Sequence, residues 1–378
     1  MKTGNLIVST AIVLMFSINA FGTTFHVPAE YETIQGAIDA ASDGDVIMVA
    51  DGTFTGEGNR DIDFRGKAIT VQSENGPENC IIDCEQKGRG FNFHQEEGKD
   101  AILRGFTITN GYGYYNSPEY TVSLPGGGAI HCKGASPTIE NCILRNNDSA
   151  GFYGHPVGYG GGIYMSNASP DIIACRIFQN QANAGAGILC GYSSPRLSNC
   201  IISHNTALDA WHRHPILGKG VAMYCVYSSP VLINCTLAAN RKEHNVEKTG
   251  ILNFENSVPI LINCIVWGNQ EGALIFGANS SPEVSYSDIQ GGVEGEGNID
   301  ADPLFANASA GDYRLLPESP CIDTGTGDDA PDVDINNSSR PMGAGFDMGA
   351  YEVIVDTPDT VHPDDGDGGS CFIGTIVH

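Results

Sequence analysis

Basic residues are scarce in this chain of 378 residues: 19 Lys and Arg stand against 45 Asp and Glu, a formal net charge of −26. Such a balance repels phosphate backbones, so nucleic acid is excluded as an expected partner, and anionic membrane surfaces are disfavoured for the same reason. Beyond residue 16 no apolar run is long enough to span a bilayer, so no transmembrane segment is expected. Twelve Cys are present, but no CxxC pair and no His spacing of the zinc-site kind accompanies them. The stretches between apolar runs show no helical period in the body of the chain, which argues against alternating strand–helix units. Neutral sugars, or anionic glycans bridged by cations, remain compatible with this composition.

The N-terminus reads as a secretory signal. Lys2 supplies the positive start, Leu6 to Phe16 the apolar run, and Ala20 and Gly22 the small residues of a cleavage site, so the mature chain is expected to start at Thr23 and to be exported to the cell surface or medium.

What the chain has in abundance is a repeat. Six turns, "SPTIENCILRNN", "SPDIIACRIFQN", "SPRLSNCIISHN", "SPVLINCTLAAN", "VPILINCIVWGN" and "SPEVSYSDIQGG", carry Pro137, Pro170, Pro195, Pro230, Pro259 and Pro282, spaced by 33, 25, 35, 29 and 23 residues. Repeats of this length mean a solenoid. Two residues after the proline sit Ile139, Ile172, Leu197, Leu232 and Leu261; five after, Cys142, Cys175, Cys200, Cys235 and Cys264; seven after, Leu144, Ile177, Ile202, Leu237 and Val266. Seven before it lie Ile130, Ile163, Ile188, Met223, Leu252 and Ile275, and five before it Cys132, Met165, Cys190, Cys225, Phe254 and Gly277. Period-2 alternation in short runs broken by turns predicts three brief strands per coil, like residues stacked on like. Asn147, Asn180, Asn205, Asn240 and Asn269 fall ten after the proline and predict an amide ladder at a bend. Successive coils about 4.8 Å apart suit buried, stacked free thiols in the Cys columns, with disulfides there as the second reading. Cys80 and Cys84, in "NCIIDCEQ", are the pair best suited to a bridge.

With these columns aligned, the chain resembles the right-handed parallel β-helix proteins of the pectin-lyase-like superfamily. "FHVPAEYETIQGAIDAASDGDVIMVADGTF" is similar to the usual opening of such proteins, with Ile34, Ala37, Ile38 and Ala41 as the apolar face of a short capping helix. "KAITVQSENGPENCIID" and "LRGFTITNG" resemble early coils. The reading is an all-β, single-stranded parallel β-helix over 23–292 after a signal at 1–22. Residues 293–354, with "DPLF", "DYRL", "SPCIDTG" and "DMGAYE" in order, resemble the choice-of-anchor Q domain of bacterial surface proteins. That module is expected to cover the last open coil with Leu304, Phe305, Tyr313, Leu315 and Leu316, and to use Cys321 structurally. An acidic linker and tail fill 355–378; "CFIGTIVH" resembles the start of a C-terminal Cys-Phe-Ile box, which suggests sorting through Cys371 or a frayed end. Calcium is the one cofactor on offer, at Asp332, Asp334 and Asn336, although the Gly and Glu of an EF-hand loop are missing and a solvated acidic turn is the alternative.

Function is expected where the repeat is lengthened. The gap from Asn180 to Gly187 is 7, those from Asn147 to Gly162 and Asn205 to Gly220 are 15, and that from Asn110 to Gly128 is 18. Three long loops therefore leave one corner, with a smaller excess at "RKEHNVEK". They carry Tyr112, Tyr114, Tyr115 and Tyr120; then Phe152, Tyr153, His155 and Tyr159; then Trp211, His212, Arg213, His214 and Lys219. Aromatic rings on exposed loops need a reason, and rings suit the C–H faces of sugars while His, Arg and Asn suit hydroxyls. The first reading is a polysaccharide-binding surface formed by Tyr112, Tyr114, Tyr115, Tyr120, Phe152, Tyr153, His155, Trp211, His212 and His214 on a monomer. A second reading has the aromatics merely packing the loops down, in a structural or adhesive surface protein. The resemblance also admits a lyase or glycosidase, for which His155, Tyr159, Arg213, His214 and Lys219 are the candidate groups; Asp148 and Asp209 sit at different offsets and no hydrolase motif appears. His212 and His214 would point apart on an extended segment, against a shared metal.

Overall fold

The computed structural model describes residues 22–113, 126–149, 158–208, 219–243, 252–270, 274–277 and 279–353. The chain winds as stacked parallel coils, each adding strands in turn to four sheets, numbered here in the order one coil meets them. In one coil these strands are Ile130–Lys133 in sheet I, Thr138–Glu140 in sheet II, Ile143–Arg145 in sheet III and Asp148–Ser149 in sheet IV. Sheets I, II, III and IV hold eight, ten, nine and four strands. The alternation had predicted three strands per coil; the two-residue fourth strand follows the Asn bend and is too short to carry a period.

The columns read from sequence are the ladder registers. Ile130, Ile163, Ile188, Met223 and Leu252 pair in succession along sheet I, as do Cys132, Met165, Cys190, Cys225 and Phe254. Ile139, Ile172, Leu197, Leu232 and Leu261 stack in sheet II, and Leu144, Ile177, Ile202, Leu237 and Val266 in sheet III. All are buried in one continuous core. The last coil departs by one residue: Leu274 and Phe276, rather than Ile275 and Gly277, pair with Leu252 and Phe254. This coil has one more residue between its strand and its proline than the coil before, eight from Leu274 to Pro282 against seven from Leu252 to Pro259, so alignment on the proline lands one residue late.

Helix Ile34–Ala40 plugs the N-terminal end, with Ile34, Ala37 and Ile38 buried and the Thr33 hydroxyl accepting from Gly36 N at 3.1 Å. The Asn ladder is continuous. The Asn180 Oδ1 accepts from Asn147 N at 3.0 Å and Nδ2 at 2.9 Å, while its own Nδ2 donates to Leu144 O. Asn205, Asn240 and Asn269 repeat the pattern. Its earliest rung is Gly111, whose N–H donates to Asn147 Oδ1; Asn110, one residue earlier, turns its amide to Asp83 instead.

Eleven cysteines, all except Cys371, are described, and all are buried free thiols. Cys80 and Cys84 are not bridged. Both point inward from the strand Cys80–Asp83 and its end, and four residues of strand span about 13 Å, far beyond disulfide reach.

The C-terminal segment corrects the expected cap. Residues 288–300 do close the last coil, with Val293 against the core and Ile299 bridged to Asp288. The rest folds back along the outer face of sheet III. Tyr313, Ile335 and Ala350 pack on Ile201 and Ala238, while Leu315, Cys321 and Met348 pack on Ile265. Leu316, expected as apolar cover, is exposed. Asn199, Asn234 and Asn263, stacked at the bend between sheets II and III, donate to Val333 O, Asp347 O and Thr326 O and so stitch the segment to the solenoid. Inside it, Arg340 Nη1 meets Glu352 Oε2 at 2.6 Å with both side chains fully buried.

The calcium expectation fails here, while the alternative of a solvated acidic turn holds for Asp328, Asp329 and Asp332, which are exposed, and not for Asp334. Asp334 is buried; its Oδ1 accepts from Asn336 N and Ser338 N, its Oδ2 from Glu352 N, and the Asn336 Oδ1 is taken by Arg176. Among the described residues no cluster of three or more His, Cys, Asp or Glu could hold a metal, and no helix is long and apolar enough to cross a membrane.

Candidate functional site

Tyr114, Tyr115, Tyr120, Phe152, Tyr153, His155, Trp211, His212, Arg213 and His214 lie outside the described residues, as does Cys371. The stems of their loops are described, and they do leave one corner, the bend between sheets IV and I. Asp148, Gln181, Thr206 and Arg241 pair in succession on the entry side, with Tyr112 bridged to Asp148. Gly126, Tyr159 and Ala184 are bridged on the exit side.

Each stem is clamped by a polar group. The half-buried Arg89 donates from Nε to Gly126 O at 2.9 Å and from Nη2 to Gly113 O at 3.1 Å, so one guanidinium holds both ends of the first loop. The Ser149 hydroxyl donates to Tyr159 O at 2.8 Å across the second. Asn183 joins the second loop to the third, its Oδ1 accepting from Gly158 N and its Nδ2 donating to Leu208 O.

Beside this corner runs the outer face of sheet I, where register places Asp63, Asn92, His131, Tyr164, Leu189 and Tyr224 in one outward column. Asn92, His131 and Tyr164 are half-buried. The His131 and Tyr164 rings lie parallel within 3°, centroids 5.2 Å apart. His131 Nδ1 sits 2.8 Å from Asn92 Oδ1, which can only accept, so Nδ1 carries the proton and Nε2 the lone pair. Burial, then Arg89, Lys133 and His94, pushes the His131 pKa down to about 3, so its ring is neutral.

Further along, Leu189 and Tyr224 are buried and packed with Ala184, Tyr159 and Tyr164. Lys219 pairs with Glu255 and lies 5.9 Å from the Tyr224 ring centroid, and Tyr224 Oη donates to Glu255 Oε2 at 3.1 Å. Two of the candidate catalytic groups are thereby committed to structure. Tyr159, its pKa raised first by burial, packs at a loop base, and Lys219 holds a carboxylate rather than standing free as a base. Tyr112 is half-buried at the first stem.

At its N-terminal end the column opens into a polar cavity of about 520 Å³ lined by Glu57, Arg60, Asp61, Asp63, Arg65 and Asn92, among others. Asp63 accepts from Arg65 and Gln95 and faces His94 Nε2 at 3.3 Å. Burial raises the Asp61 pKa, against a backbone hydrogen bond from Arg89 that lowers it.

Asn92, His131, Tyr164 and Tyr224 lie on short strands of the regular repeat, outside the lengthened loops on which the sequence expectation rests. The signal was present: His131, Tyr164 and Tyr224 each fall six residues before a proline, between two inward columns, and alternation alone turns them outward.

Among solved structures, the chain is similar to the pectate lyase Pel9A, with 15% identity over 84% of this chain and 90% of that one, at a TM-score of 0.47. A pectin methylesterase in complex with hexasaccharide VII is 13% identical, with 78% of this chain and 98% of that one covered and a TM-score of 0.44. The pectin methylesterase PemA from Erwinia chrysanthemi is 12% identical over the same shares, at a TM-score of 0.41. No curated protein matches the chain. The family model described as the right handed beta helix region matches residues 43–289, most of the chain, and with the parallel coils above it establishes that the chain belongs to the right-handed β-helix family.

Proposed function

We propose that this is an exported surface protein that binds a polysaccharide along the outer face of sheet I, beneath the three loops, with residues 293–354 as an anchor-type module. One observation carries the reading: a half-buried line of Asn92, His131 and Tyr164 continues from the 520 Å³ polar cavity and runs beside the clamped loop stems. Over these three coils and Asp63 the line is roughly 14 Å long, enough for two to three sugar rings. Tyr164 offers a ring, and Asn92 and neutral His131 offer hydrogen bonds without charge; Trp211, Tyr153 and His155, in the loops whose stems flank this line, are proposed to add contacts. The buried half of the column, around Tyr224 and Lys219, supports the loops rather than a ligand.

Affinity electrophoresis of the full chain in gels containing xylan, β-glucan or polygalacturonate tests this. Retardation by at least one polymer is expected, and Tyr164→Ala or Trp211→Ala should weaken it about tenfold, the value of losing one stacked aromatic. No retardation of the wild type in any gel sinks the reading. A second reading, elimination or hydrolysis of an acidic glycan, draws on the cavity alone: Asp61, its pKa raised by burial, stands with Arg60, Arg65 and Lys87 at one depression. Release of unsaturated or reducing ends from polygalacturonate, lost in Asp61→Asn, would favour it.

A further inference from the structure

The bend between sheets I and II carries a feature that the loop face does not explain. In five successive coils the residue just after the sheet I strand adopts a left-handed backbone, and three of them use a residue suited to it: Gly134, Asn167 and Asn256. Two adjacent coils instead use Tyr192, at φ 50°, and Tyr227, at φ 49°. A bulky residue in this region is strained where Asn or Gly is not. The rings are also the two most exposed large apolar side chains described, at 63% and 53%. They lie parallel within 8°, centroids 5.0 Å apart. Tyr286, left-handed at another bend, has a local reason: its hydroxyl donates to Glu296 and its ring lies on Gly297. Among the described residues neither the Tyr192 nor the Tyr227 hydroxyl has a hydrogen-bond partner, so strain and exposure together are unexplained by the fold.

The turn beneath is rigid. The Ser193, Ser228 and Ser257 hydroxyls accept from Ala168 N, Ser193 N and Ser228 N, while the Ser169 and Ser194 hydroxyls accept from Ser194 N and Ser229 N, two ladders running in opposite directions. Backbone bonds hold the same column in register: Asn167 N to Gly191 O, Tyr192 N to Val226 O and Tyr227 N to Glu255 O. Each ring therefore has one face on the other ring and one face toward a shorter neighbour, Asn167 on one side and Asn256 on the other. Nearby Glu255 is engaged by Lys219 and Tyr224, and Lys99, which donates to Ser169 O in the turn, is paired with Asp171, so beside the two rings the column presents amides, hydroxyls and aromatic faces.

We propose that Tyr192 and Tyr227 form a second carbohydrate platform, for an uncharged glycan. A pyranose ring continues the aromatic stack over Asn167 or Asn256, its C–H face on the tyrosine and its hydroxyls on the amide. Among the described residues no cation stacks on either ring, which favours a neutral sugar over an acidic one. The platform lies across sheet I from the loops, about four residues or 13 Å away, and does not depend on them.

The test is the double variant Tyr192→Asn/Tyr227→Asn, which removes both rings and supplies the residue that the left-handed backbone prefers. Affinity electrophoresis of the full chain is run in hydroxyethyl cellulose, xylan and mixed-linkage β-glucan, beside Tyr192→Phe/Tyr227→Phe and Trp211→Ala. The expected result is retardation in at least one neutral gel that is about tenfold weaker in the Asn variant. The Phe variant should keep most of it, Trp211→Ala should keep it at the platform's glycan, and the Asn variant should melt no lower than wild type. Equal retardation of wild type and Asn variant, or none of the wild type in any neutral gel, overturns the platform. So does concentration-dependent dimerisation that the Asn variant abolishes, since the rings would then serve a second copy. A glycan whose retardation is weakened by Trp211→Ala and not by the Asn variant belongs to the loop face; the platform then stands only on a second neutral glycan with the reverse pattern, and falls without one.

Discussion

Asp288 is a case of one side chain carrying a pH dependence for its whole neighbourhood. It is buried under the C-terminal segment, where its Oδ1 accepts from Ala301 N at 3.2 Å and its Oδ2 faces the Cys321 thiol at 3.3 Å. Burial outweighs those bonds and moves its pKa from 3.8 up to about 6. Asp347, in the same segment, is pushed from 3.8 up to about 7, again chiefly by burial. A raised carboxyl binds its proton more tightly in the folded state, so stability is greatest below the unfolded value and falls as pH rises through the folded one. Between pH 4 and 7 the protein should therefore lose stability, with Asp288 contributing on the order of 1–3 kcal/mol. Thermal melts across that range should show the decline, and Asp288→Asn should flatten its lower part. A stability that rises steadily with pH over this window would contradict the assignment.

At the scale of the element, the Asn ladder does what a helix does for its own backbone: it satisfies polar groups that a bend would bury unpaired. Asn180 is its middle rung, accepting two bonds from Asn147 and donating to Leu144 O and Asn205 Oδ1. Asn180→Ala leaves several buried groups without partners, and it should cost roughly 2–5 kcal/mol by denaturant unfolding. Asn269, a partly buried rung at the end, should cost less than half as much on the same measurement. Equal losses would mean that the ladder is not cooperative.

This element was legible because the chain repeats it, and so were the inward columns, since a solenoid writes one coil several times over. Three things escaped for physical reasons. The fourth strand has two residues and no period. The last coil's register is off by one residue, which alignment on the proline cannot detect when the extra residue lies between strand and proline. Cys80 and Cys84 looked close in sequence, yet extended backbone holds them apart. Of the candidate site, the shared corner of the loop stems was legible in the excess lengths, but the outward line of Asn92, His131 and Tyr164 was not, because polar and aromatic residues between buried ones look like mere solvent-facing filler.

For the whole molecule the question is how a solenoid and the segment folded along its flank share stability. They meet through an apolar strip on sheet III and through the Asn column at the II–III bend, while the segment's own order depends on Arg340. That guanidinium donates to Glu352, Asp347 O and Gly349 O, and its Nε is buried without a partner. A buried ion pair adds little net stability, but removing one member strands the other, at a cost of about 3–5 kcal/mol. Glu352→Ala should therefore release the segment while the coils, which bury their own core, stay folded. Thiol labelling distinguishes the two. In the wild type the eleven described cysteines should resist a water-soluble thiol reagent, since all are buried. In Glu352→Ala, Cys321 should become reactive while the stacked Cys142, Cys175, Cys200, Cys235 and Cys264 stay protected, with the far-ultraviolet spectrum unchanged. Reaction of the column thiols at the same rate as Cys321 would mean that segment and solenoid unfold as one unit, and that the flank is a load on the coils rather than a module laid against them.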